Sequence, residues 1–222
     1  MTRAQHQALV EHGLPVTPRH APELHALVTE VAARLQTGPV KVFVVRDRTL
    51  NAYTFGLVPP QVVVLNSGLL EVLDRDEVAF VVGHELGHVR LGHTWLNSLI
   101  GGMAGIPSPF AASALLAAAF LWWNRACEYS ADRAGLLACG RPEKAISALV
   151  RLALGERGRS VDLERALRYI QAEDDDPLSS LGEVLSTHPM MGRRIEQLRR
   201  YAASAEYRRL QPLLAANATR AL

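Results

Sequence analysis

Gly83-His84-Glu85-Leu86-Gly87-His88 gathers the side chains of this chain best suited to chemistry. Imidazoles four residues apart lie one turn apart on a helix and point the same way, so His84 and His88 can grip one cation. Glu85 lies about 100° round the same helix, placed to reach a water on that cation rather than the cation itself. Zinc held by two histidines needs a third protein ligand and one open position to be catalytic. The rest of the chain has to supply that ligand, and its identity decides the class of chemistry.

A three-histidine extension of the motif would need Gly at 91 and His at 94, and the chain has Leu91 and Thr94. His93, five residues past His88, lies about 140° away round a helix and reads as a polar group at the helix end. The stronger candidate is Glu128, in Glu128-Tyr129-Ser130-Ala131-Asp132. On a second helix Glu128 and Asp132 share a face, so Glu128 can bind the metal while Asp132 accepts an N–H from a ligating histidine. The apolar residues just before it, Phe120 to Trp123, suggest that this helix enters from a buried segment. Cys127, next to Glu128, reads as a packing residue.

Rigid elements must hold such a site. Asp74 followed by Glu77 forms a capping box, and Val78 to Val82 is an apolar run leading into the motif, so a buried helix starts at Arg75. Upstream, Ala21 to Leu35 reads as a helix starting at Pro22, Lys41 to Arg46 as a strand, and two short strands follow near Tyr53 and Val62. Further helices are expected around Glu128, after Pro142, from Asp162 to Gln171, and as a pair from Met190. Glu173 to Pro177 reads as a loop. The fold class is α+β, mostly α.

His-Glu-x-x-His with a later Glu-x-x-Ala-Asp resembles the gluzincin peptidases of the HtpX-like type, which include the CAAX prenyl proteases and the Oma-type proteases. Asn51-Ala52-Tyr53-Thr54-Phe55-Gly56 resembles the family's edge-strand motif, and Val62 to Leu70 the strand and turn feeding the zinc helix. Ser186-Thr187-His188-Pro189, with Arg193, Arg194, Ile195 and Leu198, resembles its C-terminal His-Pro block. The match runs from about residue 40 to 207; residues 1 to 39 carry no family signature.

The resemblance implies a single zinc metallopeptidase domain over 1–222. A small sheet and zinc helix would fill 39–93, an apolar hairpin 94–124, and a helical lobe with the third ligand 125–222. It implies one zinc per chain on His84, His88 and Glu128, with Glu85 as general base and Asp132 behind a ligand. His188 is the first choice to stabilise the oxyanion, with Arg194 and Tyr129 as alternatives. Asn51, Ala52, Tyr53 and Thr54 would bind an extended substrate by strand addition. That mode reads backbone more than side chains, which suits unfolded or loosely structured proteins and a role in protein quality control. A scaffold that keeps the site only structurally should have lost Glu85 or a ligand, and neither is lost. A zinc hydrolase acting on a non-peptide bond stays open.

A net charge of +2 argues against an obligate nucleic-acid partner. The pairs Arg193-Arg194, Arg199-Arg200 and Arg208-Arg209 read as the solvated face of a C-terminal helix. Two cysteines outside any C-x-x-C pair, and no apolar run of signal-peptide length at the N-terminus, point to a reducing, cytoplasmic setting. The 31 residues from Thr94 to Asn124 carry no charge. His88 and Glu128 must meet at one metal, so any membrane crossing between them has to be even, and two spans need roughly 40 apolar residues. Gly101-Gly102, Pro107 and Pro109 break the segment in its middle. It reads as a helical hairpin that either packs on the protein or makes peripheral contact with a membrane surface.

Overall fold

The structure, a computed structural model, describes residues 13–56, 59–93, 110–155, 162–174 and 191–221. A short strand β1 (Leu14–Pro15) precedes helix α1 (Pro22–Leu35), followed by β2 (Val40–Val45), β3 (Ala52–Phe55) and β4 (Gln61–Asn66). Helices then follow: α2 (Ser67–Val72), α3 (Arg75–Arg90), α4 (Phe110–Cys139), α5 (Pro142–Leu154), α6 (Leu163–Asp174), α7 (Met191–Ala202) and α8 (Ala205–Ala221). The expected α+β class, mostly helical, is what forms. β1 and α2 went unread in the sequence; α2 stands where a turn was expected after Asn66. Glu173 and Asp174, read as loop, end α6.

The sheet is mixed, in the order β1-β2-β4-β3, with β2 and β4 parallel and both outer strands antiparallel to their neighbours. β4 lies inside it, and its run Val62-Val63-Val64-Leu65 is buried on both faces, as a central strand requires. Val63 and Leu65 pack into the main core with the helices. Val62 and Val64 point the other way, against Phe43, Val45 and Phe55. β3 occupies the edge, the position its sequence motif implied.

Helix α3 is the buried axis of the molecule. Every residue from Glu77 to Gly87 is buried, because its apolar residues circle the helix instead of forming one stripe. The capping box forms as expected: Asp74 accepts the Glu77 N–H at 3.0 Å, and Glu77 accepts the Asp74 N–H at 2.9 Å. Glu77 is itself buried, and its other oxygen accepts from the Ser147 hydroxyl at 2.5 Å and faces Arg151 at 3.2 Å. The cap thereby ties α3 to α5.

Glycines let α4 approach α3 closely. A Cβ on Gly83 would lie 2.3 Å from the Ala138 Cβ, and one on Gly87 would lie 2.7 Å from the Ala134 Cβ. No larger residue fits at this contact, and the close approach carries Glu128 toward the two histidines.

Helix α4 corrects one expectation. The second arm of the uncharged segment and the Glu128 helix are one continuous helix of 30 residues, about 45 Å long. At Trp122 it is 67% exposed, so it does not enter from a buried segment there; Trp123 turns inward against the His93 ring. The first arm and the break, 94–109, lie outside the described residues. Among the described residues, no helix is long and apolar enough to cross a membrane.

Candidate active site

Three ligand atoms converge where α3 meets α4. His84 Nε2 and His88 Nε2 are 3.1 Å apart. Glu128 brings Oε2 to 3.7 Å from His84 Nε2 and Oε1 to 3.6 Å from His88 Nε2. His84 and Glu128 are buried and His88 is half-buried. Two imidazole nitrogens this close need a proton or a metal cation between their lone pairs, and neutral imidazole with carboxylate is a donor set for a divalent metal.

Each histidine is held from behind. The His84 Nδ1 is 2.9 Å from Asp132 Oδ1; the carboxylate can only accept, so the proton is on Nδ1 and Nε2 keeps its lone pair. Burial lowers the proton affinity of His84, but Asp132 and Glu128 outweigh it and leave the pKa raised. His88 is different: burial, then the neighbouring His84, push it down to about 3, so it is neutral at pH 7. Its Nδ1 meets the Nδ1 of His93 at 3.0 Å.

The sequence placed His93 140° away because it assumed a continuous helix. Instead α3 stops at Arg90, and Gly92 adopts a left-handed φ of 74° that folds His93 back onto His88. His93 is buried, with Ser130 Oγ 3.5 Å from its other nitrogen and the Trp123 ring edge-on.

Arg194 completes the site and departs from its reading as a solvated residue. It is buried, because it shares the inner face of α7 with Leu198 and Tyr201, one and two turns on. Its Nε donates to Asp132 Oδ2 at 2.8 Å and its Nη2 to Asp132 Oδ1 at 2.7 Å. Nη1 lies 3.1 Å from Glu128 Oε2. Burial pushes the Asp132 carboxyl up, but Arg194 and His84 outweigh it and hold it below the usual range. The guanidinium is thus committed to two carboxylates. Arg193, Arg199, Arg200, Arg208 and Arg209 are exposed, as expected.

Glu85 is buried beside the histidines. Burial and Glu128 raise its carboxyl above the ordinary value, opposed by His84 and by the Thr54 hydroxyl. Thr54 Oγ1 donates to Glu85 Oε2 at 2.6 Å, a contact between strand and helix that spacing could not show. Of the other edge-strand residues, Asn51 uses its carbonyl inward, accepting from the Asn66 N–H at 3.0 Å, and Ala52 is half-buried. Tyr53 is exposed and stacks on Phe55 with ring centres 6.2 Å apart. Cys127 is buried, with its thiol pushed up to about 12 by burial and by Glu128, which keeps it protonated and inert. His188 lies outside the described residues.

Comparison with known proteins places this site in context. The sequence pattern of peptidase family M48 matches residues 18–202, a span that takes in both histidines, Glu128 and Arg194. A "Protease HtpX homolog" from Moorella thermoacetica is 30% identical, over 87% of this chain and 77% of its own length. One from Thermococcus kodakarensis is 27% identical over 82% and 74%, and one from Pyrococcus furiosus 26% identical over 84% and 76%. The chain belongs to peptidase family M48, as an HtpX-like metallopeptidase.

Proposed function

We propose that this protein is a zinc-dependent endopeptidase that cleaves unfolded or loosely structured proteins. The observation that carries the reading is the convergence of His84, His88 and Glu128 with a buried Glu85 alongside and the end strand β3 against it. Zinc is favoured among divalent metals by the donor set. With one donor atom taken from each residue, the three atoms lie within 4.8 Å of one another, close enough for one cation to reach all of them. When bound, zinc lowers the pKa of a water toward neutrality and polarises the scissile carbonyl.

The remaining chemistry falls to the chain's own groups. Glu85 accepts the proton of the attacking water on its carboxylate and hands it to the leaving amine. Its buried carboxylate, beside the two histidines, suits a base that has to take a proton and return it. Asp132 keeps the His84 proton on Nδ1, and Arg194 balances the charge of Asp132 and Glu128 while fixing both. The oxyanion donor is assigned to His188 on the His-Pro block alone, since Arg194 is already engaged.

The substrate would lie along β3. The Asn66 N–H to Asn51 carbonyl bond sets the phase of the β3–β4 ladder, in which bonded and non-bonded pairs alternate. Asn51, Tyr53 and Phe55 therefore use their backbone groups toward β4, leaving the N–H and C=O of Ala52 and Thr54 facing outward. Those two residues would pair an extended chain. Digestion of casein by the purified protein, with and without chelator and beside Glu85→Gln, tests the reading. The expected result is hydrolysis that the chelator abolishes. Glu85→Gln should keep its metal and lose roughly 100- to 10,000-fold in rate. Chelator-insensitive hydrolysis, or a Glu85→Gln rate within a few-fold of wild type, would overturn it.

A further inference from the structure

Thr54 faces two ways. Its backbone N–H and C=O point to the outer edge of β3, by the ladder phase set at Asn51 and Asn66. Its side chain turns inward to α3, where Oγ1 is 2.6 Å from Glu85 Oε2 and 3.5 Å from the Glu85 carbonyl oxygen. A hydroxyl has one proton to give, and the shorter contact takes it. Tyr53 and Phe55 alternate to the opposite face of the strand, and Ala52 carries no donor, so within β3 only Thr54 can restrain Glu85.

The restraint matters because of where Glu85 is. A buried carboxylate without a fixed donor loses hydrogen bonding to water and gains rotational freedom about its last torsion, which is broad for glutamate. With Oε2 held, the plane of the carboxylate is set and Oε1 is left to accept a proton.

We propose that Thr54 is a positioning residue for the general base, holding one oxygen of Glu85 so that the other meets the attacking water. The same residue offers the backbone groups with which a substrate strand would pair, so the register of the substrate and the position of the base are set from one point on β3. The proposal rests on the peptidase reading of the site. It differs from substrate binding by Thr54 alone, which would need no hydroxyl.

Thr54→Val keeps the β-branched shape, the strand preference and both outward backbone groups, and replaces the hydroxyl by a methyl group. Thr54→Ser keeps the hydroxyl. In steady-state hydrolysis of a short fluorogenic peptide, Thr54→Val should lower kcat about 10- to 100-fold, the scale of a misplaced catalytic group. KM should stay within about threefold and the bound zinc per chain should be unchanged, because the loss falls on the transition state. Thr54→Ser should recover most of the kcat. Binding of a peptide hydroxamate, whose acidic O–H seeks the same carboxylate, should weaken about tenfold in Thr54→Val and recover in Thr54→Ser, one hydrogen bond to a charged group being at stake.

A Thr54→Val kcat within about twofold of wild type, or a serine variant no better than valine, overturns the assignment and leaves the peptidase reading standing. A loss confined to KM makes Thr54 a pairing residue only and overturns it equally. Wild-type protein that neither hydrolyses peptide nor binds the hydroxamate brings down the peptidase reading, and the proposal with it.

Discussion

Replacing Asp132 by asparagine separates two contacts that one carboxylate now makes. The amide keeps the size of the side chain, and its oxygen can still accept the His84 Nδ1 proton. Its NH2 group, however, faces a guanidinium that has nothing but donors. Arg194 then loses its 2.8 Å bond to Oδ2, exchanges the charged Oδ1 acceptor at 2.7 Å for a neutral amide oxygen, and keeps its contact with Glu128. Asp132 and Arg194 are both buried, so no solvent takes over. Breaking a buried ion pair on one side costs about 3–5 kcal/mol. At 2–4 °C of Tm per kcal/mol for a chain of this size, the metal-free protein should melt about 6–20 °C lower.

The loss should also be felt at the metal. An Arg194 that faces a neutral amide instead of the Asp132 carboxylate is drawn toward Glu128, in competition with the cation, and zinc affinity should fall about 10- to 100-fold. Arg194→Met unpairs Asp132 instead, and the double variant removes both charges. The two substitutions should therefore be less damaging together than the sum of their separate effects. Melting of chelator-treated protein and a zinc competition titration read both quantities.

The pH dependence has a definite sign. The Asp132 carboxyl is held below its ordinary 3.8 despite burial, so its contribution is complete above that value and fades as pH falls below it toward the lowered folded value. Wild type should lose more stability than Asp132→Asn across that acid window. A Tm of Asp132→Asn within about 2 °C of wild type, or strictly additive losses in the double variant, would refute the pairing argument.

Glu128→Ala leaves two histidines and should lose the metal, with zinc per chain by elemental analysis falling toward zero; full zinc would move the third ligand elsewhere. His93→Phe keeps a ring against Trp123 but takes away the nitrogen that meets His88 Nδ1. Zinc affinity by competition titration should drop about tenfold, and unchanged affinity would make His93 a packing residue only. Gly83→Ala should destabilise despite alanine's advantage of about 1 kcal/mol in a helix, because its Cβ would lie 2.3 Å from the Ala138 methyl. Adding Ala138→Gly should restore much of the Tm, and a more stable single variant would refute the close-contact account.

What the sequence could show follows from how local each feature is. The shared face of His84 and His88 is a property of one helical turn, and the capping box at Asp74 fixes where that helix begins, so both were legible. Glu128 and Asp132 were legible for the same reason, as a four-residue spacing on one helix. Every feature that escaped depends on a contact between segments or on a break in regularity. His93 was misplaced because the rotation was counted along a helix that ends at Arg90, and only the left-handed Gly92 brings it back. Arg194 looked like one of three solvent-facing pairs, yet adjacent helical residues point about 100° apart, so one member of a pair can turn inward while the other stays exposed. Its partner lies 62 residues earlier in the chain, and Thr54 is 31 residues from Glu85. Spacing therefore supplies the groups that would grip the metal and move the proton. Of the groups that hold them in place, Asp132 shares that spacing, whereas His93, Arg194 on α7 and Thr54 on β3 are selected by packing between segments.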